Sequence, residues 1–111
     1  MTNDELAVVE LRTMRAAWLW LARRWELTAR ERAALFPSGG EDLRNPPGDT
    51  ETRMRILIEI GHRIGLPQRL LHDWLRTPSP TLGWLTPLDV MSGKLADLRG
   101  IRRIIELGFA S

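Results

Sequence analysis

Apolar residues recur along most of the chain at intervals of three and four, which is the spacing of one face of an α-helix. From about Asp4 to Glu26, one narrow stripe contains Leu11, Met14, Trp18, Leu21 and Trp25. Thr2 and Glu5 precede this stripe at the spacing of a capping box. Alternating patterns typical of strands are nearly absent. The pattern predicts an all-α protein that begins with a long helix, buried along its stripe.

Four more helices and a one-turn helix are predicted from the rest of the pattern. Thr28 and Glu31 give a second capping signal, and Thr86 with Pro87 and Asp89 starts the one-turn helix. The helices span 28–36, 49 or 50 to 65, 67–76 and about 95–107, with the single turn after Thr86. The chain is therefore expected to be a compact bundle of five main helices plus a one-turn helix.

The expected inner and outer faces of the later helices follow from the same periodicity. The positions predicted to be buried are Met54, Leu57, Ile58, Gly61, Ile64, Leu70, Leu71, Trp74, Leu98, Ile101 and Ile105. The positions predicted to face outward are Arg55, Glu59, His62, Arg63, Arg69, His72, Asp73, Arg76, Arg99, Arg103 and Glu106. Ion pairs Arg55–Glu59 and Glu59–Arg63 are expected, because residues four apart are neighbours on a helix.

Residues 37–50, PSGGEDLRNPPGDT, interrupt the helical pattern with paired glycines and paired prolines. This loop follows two helices that resemble the start of a helix-turn-helix, and it occupies the place of the recognition helix. We expect an N-terminal region, 1–50, with a degenerate helix-turn-helix, and a second helical domain, 51–111. DNA binding by a recognition element within the loop stays open as an alternative.

No motif for catalysis or for a metal or cofactor site is found in the sequence. The chain has no cysteine, and His62 and His72 fall on polar helix faces without clustered ligands. None of the serines has a histidine nearby in sequence, and no phosphate loop or nucleotide-binding glycine motif is present. The sequence therefore predicts a protein that binds rather than reacts, with no catalytic residues and no cofactor.

The charge pattern points to a partner of opposite charge. Sixteen residues are basic, and all of them except Lys94 are arginine, although the net charge is only +2. Arginine suits carboxylates and phosphates, so an acidic protein surface or a nucleic acid fits as partner. No apolar run approaches the ~20 residues that span a bilayer. The acidic start differs from a secretory signal, and a cytoplasmic protein without membrane contact is expected.

The first helix carries apolar residues on a second face, opposite its buried stripe. Leu6, Val9, Ala16 and Trp20 lie there. A solvated face would not normally carry a tryptophan among apolar neighbours. We predict that Leu6, Val9 and Trp20 form a homodimer contact.

The C-terminal half resembles a known domain, and the stretch WLRTPSPTLGWLTPLDVMSGKLADLRGIRRIIELG carries the resemblance. It is similar to the C-terminal toxin-binding domain of the Xre/MbcA/ParS antitoxin family. The matching positions are Trp74, Leu75, Pro78, Pro80, Gly83, Pro87, Leu88, Asp89, Met91, Gly93, Leu98 and Arg102. The resemblance implies that the chain holds a RES-domain toxin, which destroys NAD, inactive by obstructing its active site. Family members also tend to dimerise through the N-terminal region.

The candidate contacts to such a toxin lie in this stretch and in the tail. They are Trp84, Arg99, Arg102, Arg103 and Phe109. Prolines 78, 80 and 87 restrict the backbone around Trp84 and Leu85, so this stretch loses little entropy on binding. Two alternatives stay open. In one, the stretch folds Trp84 into the core. In the other, the protein is an orphan dimeric helical adaptor without a toxin.

Overall fold

A computed structural model describes residues 2–108, without the side chains of residues 3, 4 and 6–9. Its six α-helices are α1 (Asn3–Arg24), α2 (Ala29–Leu35), α3 (Thr50–Arg63), α4 (Gln68–Leu75), α5 (Pro87–Met91) and α6 (Leu95–Glu106). A single 3₁₀ turn, Pro80–Leu82, lies between α4 and α5. The described residues form no strand. The predicted all-α bundle, with α5 as its one-turn helix, is confirmed.

Three helices begin with the capping boxes that the sequence predicts. The hydroxyl oxygens of Thr2, Thr28 and Thr86 each accept a hydrogen bond from the amide three residues later, at 3.2, 3.1 and 3.0 Å. The carboxylate of that later residue accepts in return from the threonine amide. These reciprocal bonds satisfy amides that have no partner inside the helix, and thereby fix where each helix starts.

Helix α3 lies at the centre of the bundle, with α1 packed on one side and α6 on another. The α1 stripe contributes Trp18, Leu21 and Trp25 to the core, and the Trp18 ring meets Phe36 edge to face at 5.0 Å. The remaining core residues come from every helix and from the segments between them: Met14, Ala22, Leu35, Leu43, Met54, Ile56, Leu57, Ile60, Ile64, Leu71, Leu75, Leu88, Met91, Leu98, Ile101 and Ile105. Because α3 is covered from several directions, it buries Ile56 and Ile60 as well as its predicted face.

One predicted core position on α4 is wrong. Leu70 is 48% exposed, whereas Leu75, which was not among the predicted core positions, is buried. Ile58 and Trp74 are half-buried and pack against the core.

The expected ion pairs within α3 are also replaced by others. Arg55 pairs with Glu51, one turn earlier, at 2.9 Å. Glu59 pairs with Arg102 and Arg63 with Glu106, because α6 lies alongside α3.

The loop between α2 and α3 is tied to both halves of the bundle. Arg15 donates to the Glu41 carbonyl at 2.9 Å, and Thr50 donates to the Gly39 carbonyl at 2.7 Å. Leu43 is buried at the middle of the loop. No helix forms between 36 and 49 in the structure, so no recognition helix is present in this loop. The degenerate helix-turn-helix stays a prediction. The division into regions 1–50 and 51–111 also stays a prediction; α3, which begins at Thr50, packs against both α1 and α6.

Close packing of α1 on α3 depends on Gly61. A Cβ atom at this position would lie 2.3 Å from Leu21 Cδ1 and 3.2 Å from Leu21 Cγ. Leu21 is buried, so its side chain has to shift to admit a Cβ atom at position 61. The absence of a side chain at Gly61 therefore sets the distance between the two helices.

We predict that Gly61→Ala destabilises the protein by about 1–2 kcal/mol, because overpacking outweighs the gain in helix propensity. Gly100, in the middle of α6, is the matched control, since nothing lies within 4 Å of the position that a Cβ atom would occupy there. Gly100→Ala is expected to stabilise by up to about 1 kcal/mol. Urea unfolding of both variants measures the difference, and equal effects would contradict the packing argument.

Candidate partner-binding site

Residues 77–86, here called the connector, link α4 to α5 in a closed loop. The Ser79 amide donates to the Leu85 carbonyl at 3.1 Å, and the Trp84 amide donates to the Ser79 carbonyl at 2.8 Å. The 3₁₀ turn lies inside the loop that these two bonds close. It ends at Gly83, whose backbone is in the left-handed region at φ +65°. The connector thus has an internal hydrogen-bond framework in addition to its prolines.

The connector displays Trp84 on the surface, where 70% of the residue is exposed. Its neighbour Leu85 is 51% exposed. Trp84 also has a left-handed backbone at φ +66°, directly after left-handed Gly83. Such a conformation is rare for a bulky side chain and costs of order 1 kcal/mol or more. The alternative that Trp84 folds into the core is therefore wrong.

The predicted arginine contacts lie on α6, on a different element from Trp84. Arg99 and Arg103 are one helical turn apart and are exposed. Arg102 donates to Glu59 at 2.8 Å and is 28% exposed, so it joins α6 to α3 as well as reaching the surface. Helix α5, which follows the connector, packs on α6. Phe109 lies outside the described residues.

The predicted dimer contact is only partly visible. Trp20 is 55% exposed on α1, and the Arg24 guanidinium lies 5.8 Å from the centre of its ring. Beside it, an apolar groove runs between α1 and α3, with Ala17 and Ile58 in its lining and His62 at its rim. The side chains of Leu6 and Val9 lie outside the described part of α1.

A buried arginine, Arg53, joins three separate parts of the chain. It is 1% exposed and donates to the carbonyls of Leu35, Met91 and Gly93 at 2.8, 2.7 and 2.7 Å. Leu35 and Met91 are the last residues of α2 and α5, where carbonyls lack partners within their own helix. Burial lowers the pKa of Arg53, and Asp49, 4.0 Å away, raises it. The guanidinium stays charged at neutral pH and binds three partial negative charges.

Arg53 was not among the residues predicted from the sequence to be buried or functional. A signal for it exists, because Arg53 lies at helical spacing from Leu57, Ile60 and Ile64, all of which are buried. A charged residue in line with a buried stripe indicates a satisfied internal charge.

A second arginine, Arg76, ends α4 and was predicted to face outward, which is wrong. Its Nε and Nη2 atoms each donate to the Glu31 carboxylate at 2.9 Å. The same side chain donates to the carbonyls of His72, Trp25 and Glu26 at 3.0, 3.1 and 3.1 Å. Burial alone raises the pKa of Glu31, but hydrogen bonds from Arg76 and Thr28 and the charge of Arg76 hold it below its ordinary value.

A metal site and a membrane span each place requirements on the described side chains and helices. No group of three or more potential ligands among the described side chains is placed to hold a metal ion. None of the helices described is long and apolar enough to cross a bilayer. The chemistry available at this surface is an exposed tryptophan and leucine together with arginines that suit carboxylates or phosphates.

Comparison with known families identifies the segment that carries this surface. Residues 64–107 match the family described as the antitoxin Xre/MbcA/ParS C-terminal toxin-binding domain. The match confirms the resemblance found in the sequence, and it contains the whole connector and α6. No curated protein and no solved structure shows significant similarity to the chain.

We predict that Arg53→Met lowers the free energy of unfolding by roughly 3 kcal/mol or more, because three buried carbonyls lose their donors. Arg55→Met is the matched control, two residues away on the same helix. Arg55 is exposed and, among the described residues, pairs with Glu51, so its loss is expected to change stability by less than about 0.5 kcal/mol. Chemical denaturation of both variants checks this, and similar midpoints would contradict the role of Arg53.

Proposed function

We propose that this chain, whose residues 64–107 carry a toxin-binding domain of the Xre/MbcA/ParS antitoxin type, is the antitoxin of a type II toxin–antitoxin system. Its partner is a RES-domain toxin that degrades NAD. The chain neutralises this toxin by binding over its active site and carries out no reaction itself. The observation that carries the proposal is Trp84, which is displayed on the surface within the matched segment.

A preformed tryptophan suits an anchor at a protein interface. Tryptophan and arginine are the residues most often found as binding hot spots. The connector already holds the Trp84 backbone through the bond from its amide to the Ser79 carbonyl, so little backbone entropy is lost when a partner covers it. Leu85 beside it extends the apolar area. This combination fits an apolar pocket next to the toxin's active-site cleft.

The arginines of α6 supply the electrostatic part of the proposed contact. Arg99 and Arg103 are exposed and reach carboxylates or a phosphate-binding rim on the toxin. Arg102 contributes from the edge of the same helix while it holds Glu59. Phe109 of the tail completes the proposed surface. Because the toxin acts on cellular NAD, we place the complex in the cytoplasm.

The test begins with a pull-down of the tagged chain from its host, followed by mass spectrometry of the proteins that co-purify. A stoichiometric RES-domain protein is the expected result. Recovery of chromosomal DNA alone would favour the DNA-binding alternative, with affinity falling steeply with salt. Recovery of no partner would favour the orphan adaptor.

Substitutions then locate the surface on the recovered toxin. Trp84→Ala and the double variant Arg99→Ala/Arg103→Ala are each expected to weaken binding by about tenfold or more, and to restore NAD consumption by the toxin at matched concentrations. Leu70→Ala is the control for an exposed apolar residue on another element, and Arg12→Ala/Arg23→Ala is the control for two exposed arginines. If the test variants bind as tightly as their controls, this surface is wrong.

We further propose that two copies associate through the α1 face that carries Leu6, Val9 and Trp20. The exposed Trp20 and the apolar groove beside it support this contact. Trp20→Glu is expected to convert the dimer to a monomer in light scattering, because it places a charge in an apolar interface. Trp84→Ala should leave the dimer intact. A wild-type monomer at high concentration would contradict the proposal.

A further inference from the structure

Helix α2 lies against both ends of the connector. A small cleft is lined by Glu31 and Ala34 of α2, by Arg76 just before the connector, and by Thr86 at its end. Helix α2 belongs to the N-terminal region and lies outside the matched segment. The element that supports the connector is therefore contributed by the other half of the chain.

The support at the start of the connector is the side chain of Arg76. Its bidentate bond to Glu31 and its bonds to two carbonyls at the end of α1 fix α4 against the N-terminal region. Its fourth partner, the His72 carbonyl, lies in α4 itself. Thr77 follows directly and donates its hydroxyl to the Asp73 carbonyl at 2.6 Å. These bonds consequently fix the orientation of the backbone where the connector begins.

The support at the other end comes from α5. Thr86 caps this helix, and Arg53 ties the last residue of α5 to the last residue of α2. Each end of α2 is thus bound by an arginine of the C-terminal half, Glu31 by Arg76 and Leu35 by Arg53. A strained residue such as Trp84 persists only where its surroundings leave no relaxed alternative.

We infer that Arg76 is a positioning residue for toxin binding: by holding the start of the connector on Glu31 of α2, it maintains the closed loop that displays Trp84. That Arg76 affects toxin affinity rests on the proposed function. That Arg76 keeps the connector closed does not depend on any toxin. The N-terminal region is then a required support for the toxin-binding surface as well as a dimer contact.

Amide hydrogen exchange on the free protein tests the positioning without any toxin. In Arg76→Met, the amides of Ser79 and Trp84 are expected to exchange about tenfold faster or more, because the connector opens more often. The matched control is Arg32→Met, since Arg32 forms a partly buried pair with Glu41 that ties α2 to the 36–49 loop and lies away from the connector. That control is expected to leave the exchange of Ser79 and Trp84 unchanged.

Toxin affinity is the second readout, measured with the RES-domain protein recovered in the pull-down. Arg76→Met is expected to weaken binding by about tenfold, and Arg32→Met by less than about twofold, at a temperature where both remain folded. Arg76→Lys keeps the charge but not the planar fork, so its affinity should lie in between. Glu31→Gln removes the charge with little change of shape, and provides a milder variant if Arg76→Met does not fold.

The outcomes separate this inference from the proposed function. Faster exchange and weaker binding in the Arg76 or Glu31 variants, but not in Arg32→Met, would support it. Unchanged exchange at Ser79 and Trp84, or equal effects of Arg32→Met, would overturn it and reduce Arg76 to a general stabilising residue. If Trp84→Ala itself keeps full toxin affinity, the proposed function fails at this surface, while the exchange result still decides whether Arg76 holds the connector.

Discussion

The buried guanidinium of Arg53 is the interaction on which the arrangement of the other helices depends. It satisfies carbonyls at the ends of α2 and α5 and in the turn before α6, from a position in the first turn of α3. Carbonyls at helix ends have no partner within their helix, and burying them without a donor is costly. A single side chain with several fixed donors meets this requirement in one place, so α2, α5 and α6 converge around α3.

The high arginine content follows partly from this use inside the fold. Arg53 and Arg76 each bind several backbone carbonyls through separate nitrogens of a planar fork, whereas lysine offers its three donors from a single nitrogen. Others, such as Arg99 and Arg103, are exposed and free to meet a partner. Arginine content alone therefore does not indicate nucleic-acid binding in this chain. The role of each arginine depends on whether its guanidinium is surrounded by backbone carbonyls at helix ends or by solvent.

The unit that presents the connector is larger than the segment that matches the antitoxin domain. The match begins at residue 64, but Glu31 precedes it and binds Arg76 at the start of the connector, and Arg53 precedes it and binds Met91 at the end of α5. A partner surface made of a loop needs a rigid support, because any freedom it keeps is lost on binding. Part of that support comes from α2 in the N-terminal region, and the bond between Glu31 and Arg76 couples the two halves physically.

The sequence by itself determined the local features: an all-α chain, helix starts at Thr2, Thr28 and Thr86, and a connector restricted by prolines and glycine. These depend on residues within a few positions of one another. Only the tertiary structure decided that Trp84 and Leu70 are exposed and that Arg53 and Arg76 each hold separate segments of the chain together. Arg53 binds the Gly93 carbonyl, 40 residues away in the chain, and Arg76 binds the Glu31 carboxylate, 45 residues away. Helical periodicity shows which side of a helix is apolar, but the segments that cover it are chosen by packing across the whole chain.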